Sequence, residues 1–324
     1  MIELSIIIPV YNEALALPAL FARLYPALDK LATTYEIIFI NDGSRDRSAA
    51  LLREQFETRP DVTRVVLLAG NYGQHMAIMA GFERSRGNIV VTLDADLQNP
   101  PEEIAALVAK MREGFDYVGT IRRNRQDSFL RRWPSRMLNV IRERTTRIKL
   151  TDQGCMLRAY SRNIVNALNN CREVNIYIPA LAYTFATHPT EIEVAHEERT
   201  AGDSKYSFYK LLRLNFDLMT GFSIAPLQLF SVLGIAVSLV ATVSYMIVMI
   251  TRLLNASGFR QGLEALWDRD ILTFFLIGLV LFGMGLLGEY VGRIYEQVRG
   301  RPRFLIDAVL EQPVAVPSEQ RIKV

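Results

Sequence analysis

The chain has 324 residues, half of them hydrophobic, and its 37 lysines and arginines nearly balance 34 aspartates and glutamates, for a net charge of +3. So small an excess of positive charge argues against a nucleic-acid-binding protein, and we expect no nucleic acid among its partners. Two cysteines without metal-ligand spacing exclude a disulfide framework and favour a reducing compartment. The length allows one large domain or two modest ones.

The first two hundred residues alternate strand-like runs with helix-length stretches. Short apolar runs predict four strands buried on both faces, at residues 5–10, 36–40, 65–68 and 89–93. Helix-length stretches lie between them, for example from Ala14 to Leu31 and from Arg47 to Phe56. This alternation predicts an α/β fold, with a mainly parallel sheet and helices on both of its faces. Ligands of such sheets bind beyond the carboxyl ends of the strands, so the candidate site lies there.

Three of these strands end in acidic or amide side chains that we expect to converge on one edge of the sheet. The clusters are Tyr11-Asn12-Glu13, Asn41-Asp42-Gly43-Ser44 and Asp94-Ala95-Asp96-Leu97-Gln98. Asp94, Asp96 and Gln98 carry the hard oxygen atoms that Mg²⁺ or Mn²⁺ prefers, often shared with substrate phosphates. An exposed acidic loop produces the same Asp-x-Asp pattern by chance, and Asn-Asp-Gly-Ser is also typical of a turn. The metal interpretation therefore depends on the shared position of these clusters.

Two long uncharged runs follow the α/β part of the sequence. Each reaches the roughly 18 apolar residues at which a transmembrane helix becomes the favoured interpretation, with a buried core helix as the alternative. We predict transmembrane helices over 227–252 and 271–292 and a non-cytoplasmic loop over 253–270. The cytoplasmic tail, 293–324, is expected to be loosely ordered after Arg303. A modest excess of Lys and Arg on either side of the pair favours the cytoplasm for the first domain, residues 1–205.

Two further segments have the composition of helices that lie on a membrane surface. Residues 129–148 interleave arginines with aromatic and aliphatic side chains, which favours a basic amphipathic helix at the headgroups, although an ordinary surface helix has the same pattern. Residues 206–226, directly before the first apolar run, predict a second interfacial helix. Gly288 and Gly292 form a Gly-x-x-x-Gly pair that favours helix packing between protomers, so we expect a homo-oligomer.

The strand-end motifs, Ile-Pro-Val-Tyr-Asn-Glu, Asn-Asp-Gly-Ser and Asp-Ala-Asp-Leu-Gln, resemble those of the inverting family-two glycosyltransferases with the GT-A fold. Within these, the chain resembles the polyprenyl-phosphate glycosyltransferases over about residues 4–306. More narrowly, it is similar to those that transfer 4-deoxy-4-formamido-L-arabinose to undecaprenyl phosphate in lipid A modification. The stretches that carry the narrower resemblance are 71–75 (NYGQH), 93–103 (LDADLQNPPEE), 124–128 (NRQDS), 154–160 (GCMLRAY), 204–208 (SKYSF) and 283–295 (GMGLLGEYVGRIY).

The resemblance implies that the donor is a UDP-sugar bound at the strand ends. The residues that it implies for the nucleotide-sugar site are Pro9, Tyr11, Glu13, Asp42 and Asp94. Asp94, Asp96 and Gln98 are implied to hold Mg²⁺ or Mn²⁺ against the diphosphate. A metal there acts as a Lewis acid and neutralises charge on the departing UDP.

The acceptor implied by the resemblance is a polyprenyl phosphate. A phosphate monoester has a second pKa near 6, so its oxygens are already nucleophilic at neutral pH and the site must mainly bind and orient an anion. The family positions that contact phosphate correspond to Arg122, Arg131, Ser135, Arg199, Ser204 and Lys205. Solvated surface charges remain the alternative for the arginines and the lysine. Asp152 matches an acidic residue near the transferred sugar, as a base or an orienting carboxylate, with a turn aspartate as the alternative.

The expected activity is therefore transfer of 4-deoxy-4-formamido-L-arabinose to undecaprenyl phosphate at the bacterial inner membrane, with the catalytic domain on the cytoplasmic side. One alternative is transfer of glucose or mannose from UDP-glucose or GDP-mannose to undecaprenyl or dolichyl phosphate. A processive polysaccharide synthase is disfavoured, because the sequence contains no Gln-x-x-Arg-Trp and only two predicted spans. An inactive membrane scaffold is disfavoured as well, because it would not need Asp94, Asp96, Asp152, Arg122 and Lys205 together.

Overall fold

The computed structural model describes residues 2–122, 151–152, 154–171, 177–197, 225–253 and 269–312. The chain divides into two compact units. The first comprises Met1–Trp133, Ile148–Lys205 and Arg301–Val324, and the second comprises Pro134–Arg147 and Tyr206–Gly300. The chain thus passes from the first unit to the second twice, at residues 134 and 206, and returns to the first at residues 148 and 301.

The first unit is built on one sheet, and the second contains two long helices. The strands are β1 Leu4–Val10, β2 Tyr35–Asn41, β3 Thr63–Leu68, β4 Ile89–Thr92, β5 Tyr117–Arg122, β6 Arg158–Ser161, β7 Pro189–Val194 and β8 Ile306–Leu310. The helices of the first unit are α1 Leu17–Asp29, α2 Ser48–Thr58, α3 Gln74–Arg84, α4 Ile104–Arg112 with a 3-10 turn at Pro101–Glu103 before it, α5 Arg162–Asn170 and α6 Ile178–Phe185. Those of the second unit are α7 Ala225–Leu253 and α8 Arg269–Arg299.

The sheet has eight strands in the order β7-β5-β6-β4-β1-β2-β3-β8. Strand β1 pairs in parallel with β2 and β4, β2 with β3, and β5 with β7. The antiparallel pairs are β4 with β6, β5 with β6, and β3 with β8. All four strands predicted from the apolar runs are present, so the expectation of a mainly parallel α/β sheet is confirmed.

Helices cover both faces of the sheet, which explains why the inner strands are apolar throughout. On one face, Ile6 and Ile8 belong to the core that also contains Leu20 and Leu24 of α1 and Leu107 of α4. On the other face α3 lies so close that a methyl group on Gly81 would meet Ile7 Cγ2 at 2.5 Å. Alternate residues of β1 therefore pack on opposite layers, as period-2 geometry requires.

The two helices of the second unit pack on each other and expose much apolar surface. The ring of Phe230 on α7 lies against the backbone of Gly283 on α8, at a position where a methyl group could not fit. Within the part of the chain that the structure describes, Leu276–Arg299 is the one helical stretch long and apolar enough to cross a membrane, with a mean hydropathy of 1.4. Helix α8 continues to Arg299, past residue 292, where the sequence pattern ended the predicted span.

The C-terminal tail differs from the sequence-based expectation. Residues after Arg303 were expected to be loosely ordered, but Ile306–Leu310 form β8 at the edge of the sheet. The expectation is wrong for these residues because their partner, β3, lies more than two hundred residues earlier in the chain. Local composition does not reveal a pairing of that range.

Candidate active site

The order of the strands brings the predicted polar clusters to one edge of the sheet. Strands β4, β1 and β2 are parallel neighbours, so the residues after Thr92, Val10 and Asn41 emerge side by side. Strand β5 runs in the same direction as β4, because both are antiparallel to β6. Its last residue, Arg122, and the segment that leads into β6 therefore lie on the same edge. The expected convergence of the clusters is confirmed.

The segment after β4 carries the acidic pair. Asp94, Asp96 and Gln98 are all half-buried, and they alternate with the buried residues Ala95, Leu97 and Asn99. The Asp94 carboxylate accepts a hydrogen bond from Gln74 Nε2 at 2.6 Å, and Asp96 Oδ1 accepts one from the backbone N–H of Gln98 at 3.2 Å. The buried side chains of Ala95, Leu97 and Asn99 anchor the segment, and the oxygen atoms of the alternate residues stay accessible.

The donor atoms of this segment suit a magnesium or manganese ion. Among the described residues no group of three or more His, Cys, Asp or Glu side chains is arranged to hold a metal. Mg²⁺ is commonly held by one or two carboxylates together with substrate phosphates and water, so two carboxylates on an accessible strand end fit its needs. Asp94, Asp96 and Gln98 are the residues that would hold it.

Asp42 is the most firmly held residue of the second cluster. Its side chain is buried, and its two oxygens accept hydrogen bonds from the backbone N–H groups of Tyr72 at 2.7 Å and Gly73 at 2.9 Å. Burial raises the pKa of Asp42, and the two amide hydrogen bonds offset part of that increase. Each carboxylate oxygen keeps a further lone pair that could accept another hydrogen bond.

The loop after β2 approaches the loop after β3 very closely. Gly43 has a φ of 65°, and a methyl group on it would meet the carbonyl carbon of Gly70 at 2.5 Å. Asn71 Nδ2 also donates to the backbone oxygen of Asp42 at 3.2 Å. Glycine is required at position 43 both for its conformation and for this contact.

The loop after β1 interlocks with the same region. Asn12, at a φ of 56°, donates its backbone N–H to Ser44 Oγ at 3.0 Å, and the N–H of Glu13 donates to Ser48 Oγ at 3.0 Å. Pro9 and Glu13 are half-buried, whereas the ring of Tyr11 is exposed. Tyr11 follows Val10, which pairs with Asn41, so its exposed ring leaves the sheet next to the segment of Asp42 and is available for packing against a planar base.

Arg122 and Asp152 face each other on the other side of the acidic pair. Arg122 donates from Nε to Asp152 Oδ2 at 2.6 Å and from Nη2 to Oδ1 at 2.9 Å, and the N–H of Gly154 also donates to Oδ1 at 3.0 Å. The side chain of Asp152 is 4% exposed and that of Arg122 is 21% exposed. Most acceptor positions of the carboxylate are therefore occupied within the chain.

Comparison with known proteins identifies the family. Residues 5–168 match the family described as glycosyl transferase family 2. The chain is 48% identical to a protein of Shewanella sediminis over 307 residues. This alignment covers 94% of the chain and 92% of the relative. It is 49% identical to a protein of Pseudomonas aeruginosa (97% and 92%) and 48% identical to one of Klebsiella pneumoniae (98% and 97%). The chain belongs to glycosyl transferase family 2.

Each of these three relatives is named undecaprenyl-phosphate 4-deoxy-4-formamido-L-arabinose transferase. Among solved structures, the chain is similar to glucosyl-3-phosphoglycerate synthase from Mycobacterium tuberculosis in complex with Mn²⁺, UDP and phosphoglyceric acid. That similarity has a TM-score of 0.46 and 15% identity, over 67% of this chain and 76% of the other. The sequence-based assignment to the family-two glycosyltransferases is confirmed by the family match and by the full-length relatives.

Arg158 is a residue of this glycosyltransferase whose importance the sequence does not reveal. It is fully buried, and its guanidinium donates to the backbone oxygens of Asp152 at 2.5 Å and Cys155 at 2.8 Å and to the hydroxyl of Tyr117. These contacts fix the turn that presents the Asp152 carboxylate. Arg158 lies in the stretch 154–160 that resembles the narrower family, which is the only sequence signal for it.

Two residues of the stretch 71–75 take positions that their sequence context does not specify. Gln74 contacts Asp94, as described above. The ring of His75 packs edge-on against that of Tyr177, with ring centres 5.2 Å apart, and its Nδ1 is buried without a hydrogen-bond partner among the described residues. Burial, assisted by the charge of Arg158, lowers the pKa of His75 to about 4, so the imidazole is neutral at pH 7. The buried, neutral ring therefore has a packing role.

The remaining predicted acceptor residues, Arg131, Ser135, Arg199, Ser204 and Lys205, lie outside the described residues. The same holds for the predicted interfacial helix over 129–148 and for residues 206–224 of the second one. Their roles stay predictions.

Proposed function

We propose that this glycosyltransferase transfers 4-deoxy-4-formamido-L-arabinose from its UDP-sugar to undecaprenyl phosphate, with inversion at the sugar, as a step of lipid A modification. One observation carries the proposal. The chain is 48–49% identical over nearly its whole length to curated transferases of that name, through the α/β unit and both long helices. The GT-A fold is the corresponding proposal for the first unit.

On the donor side, the chain supplies oxygen ligands, a base-binding edge and a fixed carboxylate. Asp94, Asp96 and Gln98 would hold Mg²⁺ or Mn²⁺, which neutralises charge on a departing diphosphate when it is bound. Gln74 orients Asp94 through its hydrogen bond. Asp42 is held by two backbone amides and keeps acceptor capacity, which suits a hydrogen bond from uracil or ribose, with Tyr11 beside it.

On the acceptor side, a phosphate oxygen attacks the anomeric carbon as the bond from that carbon to the UDP oxygen breaks. A phosphate monoester is largely ionised at neutral pH and brings its own nucleophilic oxygen, so the site needs no strong base. The pairing of Asp152 with Arg122 agrees with that, because a carboxylate held by a guanidinium and an amide orients groups better than it removes protons. We therefore assign Asp152 to orientation and Arg122 to electrostatic attraction of the phosphate.

The exposed surface of α7 and α8 supports a membrane location. Exposed apolar side chains recur along both helices, among them Leu229, Val232, Ile235 and Val243 on α7 and Val280, Leu281, Phe282 and Met284 on α8. A soluble protein rarely leaves so long an apolar surface in water, whereas hydrocarbon covers it at no cost. We propose that both helices span the bilayer.

The sheet supplies an independent argument for two spans. Strand β3 precedes both helices and β8 follows both, yet the two strands pair in one sheet and must lie on the same side of any membrane. A chain that starts and ends on one side crosses an even number of times. If α8 spans the bilayer, the chain must cross it an odd number of further times between β7 and β8, and α7 is the other long helix among the described residues of that interval.

The side of the membrane follows from the substrates. UDP-sugars are cytoplasmic metabolites, so we propose the bacterial inner membrane with the α/β unit in the cytoplasm, consistent with the modest positive-inside bias. Methyl groups on Gly288 and Gly292 would meet nothing within 4 Å, so this part of α8 has room for another helix. A homo-oligomer remains our expectation on that basis.

A transfer assay in detergent tests the proposal. The assay would contain the full chain, undecaprenyl phosphate, Mg²⁺ or Mn²⁺, and in parallel the UDP-activated formamido sugar, UDP-glucose and GDP-mannose. We expect product with the formamido sugar and little with the other two. Preference for glucose or mannose would contradict the proposed donor and retain the reaction class, and no transfer from any donor would contradict the proposed reaction.

Lys205 and Arg131 provide the acceptor arm of the same test. Lys205→Ala or Arg131→Ala should raise the KM for undecaprenyl phosphate and leave the affinity for UDP unchanged, because the proposed contacts are to the lipid phosphate. An equal loss of both would contradict the acceptor assignment.

A further inference from the structure

We propose that strand β8 is a positioning element for the donor-nucleotide site. The C-terminal strand holds the loop at residues 69–73 in the conformation that fixes Asp42. Because the amides of this loop bind the Asp42 carboxylate, it is called the Asp42 loop, although Asp42 itself lies outside it. The consequence for donor binding rests on the proposed function, because that is where Asp42 acquires a role in the nucleotide pocket. The mechanical coupling from β8 to the Asp42 loop is a property of the fold and is tested separately.

Strand β8 is attached to β3 up to the point where the Asp42 loop begins. The pairing runs from Val65 opposite Leu310 to Leu68 opposite Ile306, with an irregularity between Leu67 and Leu68. Beyond it, the backbone N–H of Ala69 donates to the backbone oxygen of Leu305 at 2.9 Å. The first residue of the Asp42 loop is therefore bonded directly to the C-terminal segment.

The other end of β8 is held by charge. Glu311 Oε2 accepts hydrogen bonds from Arg64 Nη2 at 2.5 Å and from Arg86 Nη2 at 3.0 Å. Arg64 is 8% exposed and also donates to the buried carboxylate of Glu36 at 2.9 Å, whereas the Glu311 side chain is 33% exposed. Glu311 therefore links β8 to a buried ion pair, and its bond to Arg64 is screened less than a bond between two surface charges.

The Asp42 loop would transmit a displacement of Ala69 to the Asp42 carboxylate. Tyr72 and Gly73, whose N–H groups bind the two carboxylate oxygens, follow Ala69 by three and four residues. The residues between Ala69 and Tyr72 have little freedom to move, because Gly70 lies against Gly43, where even a methyl group would not fit. A shift of Ala69 would therefore move the amides that hold Asp42.

Removal of β8 would change β3 as well. Strand β3 would become the edge of the sheet, with unpaired backbone groups along its outer side and a free loop at its end. Loops are fixed by the elements that flank them, so loss of an edge strand lowers the free energy needed to open the loop next to it.

The test uses a charge reversal at the anchor and a matched control on the same strand. Glu311→Lys in the full chain faces Arg64 and Arg86 with a like charge and should release β8, and Glu311→Gln is a milder variant of the same shape. Asp307→Lys is the control, because Asp307 is exposed on β8 and its replacement by lysine changes the charge by the same amount. Hydrogen exchange by mass spectrometry would be read on peptides that cover 69–74 and 304–312.

We expect both peptides to exchange at least about tenfold faster in Glu311→Lys and to keep the wild-type rate in Asp307→Lys. Affinity for UDP in the presence of Mn²⁺ should fall by about three- to tenfold in Glu311→Lys, with a smaller loss in Glu311→Gln. Faster exchange of 304–312 with unchanged exchange of 69–74 would overturn the coupling. Unchanged exchange of both peptides would overturn the assignment of Glu311 as the anchor.

The two levels of the proposal fail separately. Hydrogen exchange needs no donor, so a wild-type protein that binds no UDP would contradict the proposed function and leave the coupling measurable. Conversely, a wild-type protein that binds UDP and a Glu311→Lys variant with the same Kd would contradict the role of β8 in donor binding and leave the transferase assignment intact.

Discussion

Arg122 and Asp152 form a two-point ion pair that joins the end of β5 to the turn before β6, with distances of 2.6 and 2.9 Å. Thirty residues separate the partners in the sequence. By resemblance to the family, Arg122 corresponds to a phosphate contact and Asp152 to an acidic residue near the transferred sugar. In this structure the two side chains bind each other. The two side chains form one unit, so a substitution of either residue changes the environment of the other.

This pairing predicts that single substitutions are worse than their combination. Asp152→Asn removes the carboxylate that pairs with Arg122, and Arg122→Gln removes the guanidinium that pairs with Asp152. Each should cost roughly 1–3 kcal/mol in the free energy of unfolding, because the remaining buried partner loses its strongest hydrogen bonds. The double variant should be less destabilised than the sum of the two. Denaturant unfolding of all four proteins measures the coupling, and strict additivity would contradict it.

Asp96→Asn tests the metal site without disturbing the fold. Asp96 is half-buried on an accessible strand end, so its substitution should leave the thermal midpoint nearly unchanged. Turnover should fall at least about a hundredfold, because the amide lacks the negative charge with which the Asp96 carboxylate would hold a divalent cation. Asp61→Asn is a suitable control, since Asp61 belongs to an exposed ion pair with Arg59. Wild-type turnover by Asp96→Asn would mean that the metal assignment is wrong.

Gly43 and Gly73 offer a matched pair for the Asp42 region. Both have positive φ, 65° and 90°, but a methyl group on Gly43 would collide with the backbone of Gly70, whereas one on Gly73 would meet nothing within 4 Å. Gly73→Ala should therefore cost only the conformational strain, about 1–3 kcal/mol, because its φ of 90° and ψ of 158° lie in a region that is almost exclusive to glycine. Gly43→Ala should cost clearly more and weaken UDP binding. Equal loss of stability in the two variants would show that the close approach at Gly43 is relieved without cost.

The sequence predicts the sheet edge well because the relevant signals are local. Apolar runs identify β1, β2 and β4, and parallel pairing brings Glu13, Asp42 and Asp94 to the same side without any knowledge of distances. The signals that fail depend on contacts between distant segments. Strand β8 is recognisable only by its partner β3, and the burial of Arg158 depends on Tyr117 and on the turn at Asp152.

His75 predicts a pH dependence of stability. Its pKa is lowered to about 4 in the folded chain from about 6.5 in an unfolded one, so the unfolded state binds the proton more readily. The contribution to stability is complete above pH 6.5 and is lost as the pH falls toward 4, by about 2 kcal/mol at pH 5. His75→Phe keeps a ring against Tyr177 and removes the titration. The thermal midpoint of this variant in detergent should therefore fall less than that of the wild type between pH 7 and pH 5. The exposed His196→Phe is the control and should keep the wild-type pH dependence. Identical losses in the wild type and in His75→Phe would show that another group titrates in this range.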